Sequence, residues 1–254
     1  MNIQEVCAVV SGGASGLGEA AARMLAAHGA RVTIADLDEE RGRRIQAELG
    51  TAVQFIRTDI CSEEDIGHLL DGAEQHMGCV NAVLNCAGVA HAEKVAGRSV
   101  HSLSAFMKVL EVNAGGTFNM IRLAVPYMQK NNETKEGERG IFINTASVAA
   151  FEGQIGQAAY SASKGAVASM TLPLARELAR YGIRVTAIAP GLFETPMFAG
   201  LPEAAKEGLA QMTPFPRRLG RPEEYAALAV HMIENAMLNG EVVRLDGAIR
   251  MQPK

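Results

Sequence analysis

The 254-residue chain predicts a single α/β domain built on a doubly wound parallel sheet of about seven strands with helices on both faces. Short β-branched or apolar runs alternate with longer amphipathic ones from end to end, which is the pattern of repeated βαβ units. No linker, internal repeat or low-complexity tract divides the chain, and α/β domains of this length commonly stay single. A glycine-rich stretch, Ser11-Gly12-Gly13-Ala14-Ser15-Gly16-Leu17-Gly18, joins the first expected strand to the first expected helix.

In chain order the expected strands are Val6–Ser11, Arg31–Asp36, Ala52–Thr58, Val80–Asn85, Gly140–Thr145, Arg184–Ala189 and Val242–Leu245. Each is a short run of the kind a parallel sheet buries on both sides. Helices fill the gaps, one over about Gly16–His28, a long one near Ser104–Gln129 and another around Ala158–Ala179. Pro173 lacks a backbone donor and is expected to bend or interrupt the last of these. The polar run Lys130–Arg139 reads as a solvated loop. The segment Met197–Pro216, with Met197, Phe198, Leu201, Leu209, Met212 and Phe215, reads as a lid near 194–216 over an apolar substrate or as a packing helix.

A net charge of -4 with a pI near 5.9 supplies no general basic surface, so a nucleic-acid partner is not expected. The four cysteines, Cys7, Cys61, Cys79 and Cys86, form no Cys-x-x-Cys pair and read as reduced, mostly buried thiols. No metal centre is expected. The first strand begins at about residue 6, leaving no room for a leader, and no apolar run reaches the roughly 18 residues of a membrane span. The expected location is the cytoplasm, away from membranes.

A strand that feeds a helix through glycines aims backbone N–H groups and the positive end of the helix dipole at one point, a Rossmann-type seat for a pyrophosphate. Gly12, Gly16 and Gly18 must be small there, with Ser15 and Leu17 beside them. Their spacing differs from Gly-x-Gly-x-x-Gly, and a tight turn that binds nothing is the plain alternative. Asp36 closes the second strand, where a carboxylate accepts hydrogen bonds from adenosine ribose hydroxyls and repels a 2′-phosphate. Neither Ser15 nor Leu37 offers a cation to that phosphate, so NAD is expected over NADP. Asp36 has a second possible role as the cap of the next helix, which Asp38 fills equally well.

Other cofactor contacts are expected at the carboxyl ends of the strands, where open sheets of this kind bind ligands. These are Asp59 and Ile60 after the third strand, Asn85, Ala87 and Gly88 after the fourth, and Pro190, Gly191, Phe193 and Thr195 after the sixth. Taken one at a time, ordinary strand-ending turns explain them as well.

Tyr160 and Lys164 stand one helical turn apart on one face, so their polar ends can share a site. A phenol of pKa near 10 is a poor base at neutral pH, and lowering it by about three units takes roughly 4 kcal/mol. An ammonium about 4 Å away supplies that order of energy at an effective dielectric near 20. Ser147, just past a strand end, can hydrogen-bond a substrate oxygen as it changes between alcohol and carbonyl. Asn113, in the long helix, can hold a water that links Lys164 to solvent. Gln154 and Gln157 either contact the substrate or brace the loop after Ser147.

The glycine-rich turn, Asn85-x-Ala87-Gly88, Asn113, Ser147, Tyr160-x-x-x-Lys164 and Pro190-Gly191 together resemble the short-chain dehydrogenase/reductase family over the whole chain. Longer runs, Ile143–Gln154, Ala158–Gly165, Pro190–Phe193 and Leu238–Gln252, resemble the branch of that family that acts on 3-hydroxyacyl-CoA thioesters. That resemblance implies hydride exchange with NAD at a 3-hydroxyacyl-CoA, a tyrosine acid/base and a homotetramer. Ser11 stands where the family usually has threonine and Cys86 where it usually has asparagine, and the stretch Val89–Leu103 matches that branch less well. Rival readings are a 3-oxoacyl-carrier-protein or acetoacetyl-CoA reductase, a steroid or other secondary-alcohol dehydrogenase, and a catalytically silent NAD-binding scaffold.

Overall fold

Strand β1 (Cys7–Ser11) lies in the interior of the sheet in the computed structural model, which describes residues 1–97, 99–196 and 203–253. Its side chains alternate with the strand period: Ala8 and Val10 face one helical layer, Cys7 and Val9 the other. All five residues are buried, which is why the run is apolar without a polar alternation.

The other strands are β2 (Arg31–Asp36), β3 (Val53–Arg57), β4 (Ala82–Asn85), β5 (Gly140–Thr145), β6 (Ile183–Pro190) and β7 (Val242–Leu245). Every pairing is parallel, and the seven strands run in the order β3-β2-β1-β4-β5-β6-β7. The chain reverses direction across the sheet between β1 and β4, so a crevice opens outside the carboxyl ends of those two strands. The seven expected strands are present; β2, β5 and β7 have the expected ends, and the other four differ by one or two residues. The turn Gly50–Ala52 takes the expected start of β3, and Pro190 extends β6.

Helices α1 (Gly16–Ala27) and α8 (Pro222–Glu234) cover one face, with Leu25, Tyr225 and Met232 fully buried between helix and sheet. Helices α3 (Glu63–Met77), α5 (Thr117–Gln129) and α6 (Ala158–Leu178) cover the other through Leu69, Met120, Met128 and Leu178. Local chemistry sets the helix starts. Asp38 caps α2 (Glu39–Leu49) by accepting from the Arg41 amide at 3.0 Å, and Ser62 caps α3 by accepting from the Asp65 amide at 3.1 Å. The remaining helices are α4 (Leu103–Leu110) and α7 (Glu203–Gln211).

Three expectations are corrected. The long helix Ser104–Gln129 is α4 and α5 joined by a π-helical turn, Glu111–Gly116, that contains Asn113. Pro173 leaves α6 uninterrupted, because Pro173 and Ser169, whose carbonyl it deprives of a donor, both lie on the exposed face where solvent substitutes. The run Lys130–Arg139 is not wholly solvated. Glu138 is buried, and it accepts from Arg184 Nε at 2.7 Å and from the Met1 amino group at 2.9 Å. Arg184 also donates to the carbonyls of Met232 (2.7 Å), Ile233 (2.8 Å) and Leu238 (2.9 Å), closing the amino-terminal edge of the sheet.

All four cysteines are free thiols, but only Cys7 is fully buried by exposure, with Cys61, Cys79 and Cys86 intermediate. Among the described residues, no helix is long and apolar enough to cross a membrane. Of the expected lid, Met197, Phe198 and Leu201 lie outside the described residues. Leu209 and Met212 are half-buried, and Phe215 is 82% exposed.

Candidate active site

The crevice at the carboxyl ends of β1 and β4 is a cavity of about 490 Å³. The glycine-rich turn forms its floor. Gly12 adopts φ +65°, and a Cβ on it would sit 2.6 Å from the Ala87 amide nitrogen. A Cβ on Gly18 would sit 2.3 Å from the Gly12 carbonyl oxygen, so α1 starts pressed directly against the turn. Ser15 occupies the cap position of α1 yet makes no side-chain cap bond, which leaves the first amides of the helix facing the crevice with their positive dipole end.

Most expected cofactor residues line this cavity: Gly12, Ser15, Gly16, Leu17, Gly18, Asp36, Asp59, Ile60, Ala87, Gly88, Pro190, Gly191, Phe193 and Thr195. Asp36 braces the turn as well, accepting from the Ala14 amide at 3.0 Å through Oδ2 and from the Asp38 amide at 3.1 Å through Oδ1. The cap of α2 belongs to Asp38, while Asp36 lines the cavity. Asp59 Oδ1 accepts from the Cys61 amide at 2.9 Å.

Asn85 is a correction. It is buried beneath the crevice rather than lining it, donating through Nδ2 to Asn144 Oδ1 at 2.9 Å and so tying β4 to β5. Gln154 and Gln157 also stay out of the cavity. The Gln154 amide donates to Gln157 Oε1 at 3.0 Å, and Gln154 Nε2 donates to the Gln252 carbonyl at 3.0 Å, so the pair braces the loop after Ser147.

Ser147, Tyr160 and Lys164 converge on the same cavity. Ser147 leaves β5 through the 3-10 turn Val148–Ala150 and accepts from the Ala149 amide at 3.1 Å. That bond occupies lone-pair density on its oxygen and leaves the hydroxyl proton to point elsewhere. Burial raises the Tyr160 phenol above its ordinary pKa, while a hydrogen bond with Ser147 acts in the opposite direction.

Lys164 is 4% exposed. Its Nζ donates to the Thr145 carbonyl at 2.7 Å and lies 5.9 Å from the Tyr160 ring centroid. Burial pushes the amine down to about 8, with Cys86 acting to raise it. The Thr145 carbonyl, which the spacing of Tyr160 and Lys164 does not reveal, holds the amine, and desolvation governs the tyrosine.

Asn113 is fully buried in the π turn. Its Oδ1 accepts from the Val89 amide at 2.8 Å, and its Nδ2 donates to the Val89 carbonyl and to Ser163 Oγ, each at 2.9 Å. Ser163 Oγ in turn donates to the Tyr160 carbonyl at 2.8 Å. Asn113 therefore anchors both the loop after β4 and the first turn of α6, rather than presenting a free amide to the cavity.

Thr145 and Tyr225 are additions to the sequence reading. Tyr225, fully buried on α8, shares a 2.8 Å hydrogen bond with Thr145 Oγ1 and lies 3.5 Å from Cys86 Sγ. Thr145 was within reach of the rule that strand carboxyl ends form the site. Tyr225, 80 residues further on, carries no local signal.

A doubly wound sheet with a glycine turn at its switch point and a Ser, Tyr and Lys set beside it defines an oxidoreductase of the short-chain type. The chain belongs to the short chain dehydrogenase family, whose pattern it matches over residues 6–206. It is 50% identical over 254 residues to 3-hydroxyacyl-CoA dehydrogenase type-2 of Drosophila melanogaster, covering 99% of this chain and 100% of that one. The Homo sapiens protein of the same name is 51% identical over 255 residues, covering 99% of this chain and 98% of its own. A crystal structure of 3-hydroxyacyl-CoA dehydrogenase type-2 from Mycobacterium avium superposes with a TM-score of 0.94 at 41% identity, over 97% of this chain and 96% of that one. A 3-ketoacyl-(acyl-carrier-protein) reductase from Brucella melitensis complexed with NADH superposes with a TM-score of 0.87 at 30% identity, over 96% of this chain and 98% of that one.

Proposed function

We propose that this protein interconverts a 3-hydroxyacyl-CoA and the 3-oxoacyl-CoA with NAD as hydride partner and Tyr160 as acid/base. The observation that carries the reading is the convergence of Ser147, Tyr160 and Lys164 on the cavity that Asp36 and the glycine turn line. The full-length similarity to relatives bearing the 3-hydroxyacyl-CoA dehydrogenase name supports the substrate class.

The crevice fits a nicotinamide dinucleotide. The uncapped start of α1 suits the pyrophosphate, the Asp36 carboxylate suits an unphosphorylated ribose, and Thr195 lies where a carboxamide can be held. A bound dinucleotide would supply the hydride acceptor and, when oxidised, a positive charge at the site. Ser147 orients the substrate oxygen, Tyr160 takes the hydroxyl proton during oxidation and returns it during reduction, and Lys164 places its ammonium below them. Residues 203–216, including α7, close over the acyl group as a lid.

The decisive assay is a panel of 3-hydroxyacyl-CoA chain lengths with NAD and with NADP, alongside steroid alcohols. We expect turnover on acyl-CoA with kcat/KM at least about tenfold higher for NAD, the order a desolvated carboxylate facing a phosphate produces. A preference for NADP would remove the role of Asp36. The Brucella likeness favours a second reading, reduction of a 3-oxoacyl chain on a carrier protein. Faster turnover of the carrier-bound than of the CoA-bound substrate would select it. Full biological function in cells carrying only Tyr160→Phe would select a non-catalytic scaffold instead.

The direction of the tyrosine shift sets a pH prediction. Burial favours the neutral phenol, so the base form needed for oxidation grows as pH rises while the acid form needed for reduction stays near full occupancy below the raised pKa. Steady-state profiles between pH 6 and about 9 should show oxidation climbing and reduction holding nearly level. Parallel profiles in the two directions would contradict the assignment of Tyr160.

A homotetramer is the assembly that goes with this activity. Leu103 (73% exposed), Met107 (53%) and Phe118 (47%) on α4 and α5 provide apolar surface for it. Light scattering behind size exclusion measures the assembly directly, and a mass of one chain rejects it.

A further inference from the structure

The loop between β4 and α4 carries the only cluster of three possible metal ligands among the described residues, His91, Glu93 and His101. One ligating atom from each side chain lies within 4.8 Å of the others. His91 Nε2 is 3.0 Å and His101 Nδ1 3.6 Å from the same carboxylate oxygen, Glu93 Oε2. Two imidazoles and one carboxylate form a donor set that suits zinc and leaves a coordination position open.

A second observation concerns His101 itself. Its Nδ1 lies 3.0 Å from the Ser102 carbonyl, which can only accept, so the ring hydrogen belongs on Nδ1. The remaining nitrogen, Nε2, is buried and finds no partner among the described residues. A histidine with one N–H given to a backbone carbonyl and its other lone pair unspent is the arrangement that metal-ligating histidines adopt.

We propose that His91, Glu93 and His101 bind one divalent transition ion, zinc by ligand class, which fastens this loop at the rim of the crevice. The loop is already tied at two points, Val89 to Asn113 and the Glu93 amide to the Gly156 carbonyl at 2.9 Å. An ion would add a third tie between residues 91 and 101, on the segment that leads from the cofactor cavity to α4. Nothing in the chemistry at Tyr160 depends on it.

The test uses the full chain after chelator treatment. Calorimetric titration with Zn²⁺ should give one ion per chain, and Co²⁺ should give visible d–d bands without the near-ultraviolet thiolate charge-transfer band that the free cysteines would produce. His91→Ala and His101→Ala should each weaken binding by at least about tenfold, the loss that follows removal of one of three ligands. His91 is 40% exposed, so its replacement leaves the fold intact and keeps the result interpretable. Hydrogen exchange at residues 89–102 should slow on adding Zn²⁺ to the unaltered protein and stay unchanged in His91→Ala. No saturable binding, binding indifferent to both substitutions, a thiolate band, or unaltered loop exchange would each overturn the proposal. Because these readouts are independent of turnover, they fail separately from the proposed dehydrogenase activity.

Discussion

Tyr160→Phe is expected to lower kcat about a thousandfold in both directions while leaving the dissociation constant of the dinucleotide within about threefold, the pattern of a lost proton-transfer group. The substitution removes one oxygen and keeps the ring that packs on α6. Its neighbours cannot replace it. Lys164 Nζ is committed to the Thr145 carbonyl at 2.7 Å, and Ser147 has a hydroxyl whose pKa is far too high for a base. Turnover is followed by NADH absorbance with saturating cofactor, and binding by calorimetry. Near-normal kcat in the variant would transfer the proton to some other group and end the tyrosine mechanism.

Gly18→Ala is expected to weaken dinucleotide binding by about 5- to 150-fold, the span that about 1–3 kcal/mol of overpacking produces. The added carbon would stand 2.3 Å from the Gly12 carbonyl oxygen and 2.8 Å from the Gly12 carbonyl carbon, and both are backbone. The turn must therefore move, and Gly12 has little room, because its own Cα faces the Ala87 backbone. The control is Gly67→Ala in α3, where a Cβ meets nothing within 4 Å and helix propensity favours alanine by up to about 1 kcal/mol. Thermal melts should show Gly67→Ala unchanged or raised and Gly18→Ala lowered. Equal cofactor binding in Gly18→Ala and the unaltered protein would mean that the turn does not seat the dinucleotide.

The sheet was legible in the sequence because strands buried on both faces are continuous apolar runs, and β1, β4, β5 and β6 are buried throughout. Strand ends were less so, since one or two residues at each end follow the loops rather than the ladder. The π turn was invisible. It arises where Asn113 spends its amide on Val89 and Ser163, partners 24 and 50 residues away.

Within the site, position near a strand end was readable but side-chain direction was not. Asn85 points under the sheet edge, and Gln154 and Gln157 turn toward each other and Gln252. The spacing of Tyr160 and Lys164 placed both on one face, yet the Thr145 carbonyl on β5 decides where the amine sits. The His91, Glu93 and His101 cluster escaped because ten residues of irregular chain separate its ends, and no periodicity brings such a loop back on itself.

The Arg184 knot at the amino-terminal edge has a practical corollary for engineering. Its guanidinium gathers Glu138, the last turn of α8 and the chain just beyond it, away from the crevice. Anyone exchanging rim segments between homologous scaffolds to change chain-length preference can treat that edge as a fixed chassis. Grafts confined to residues 89–97 or 203–216 would leave its fastening whole.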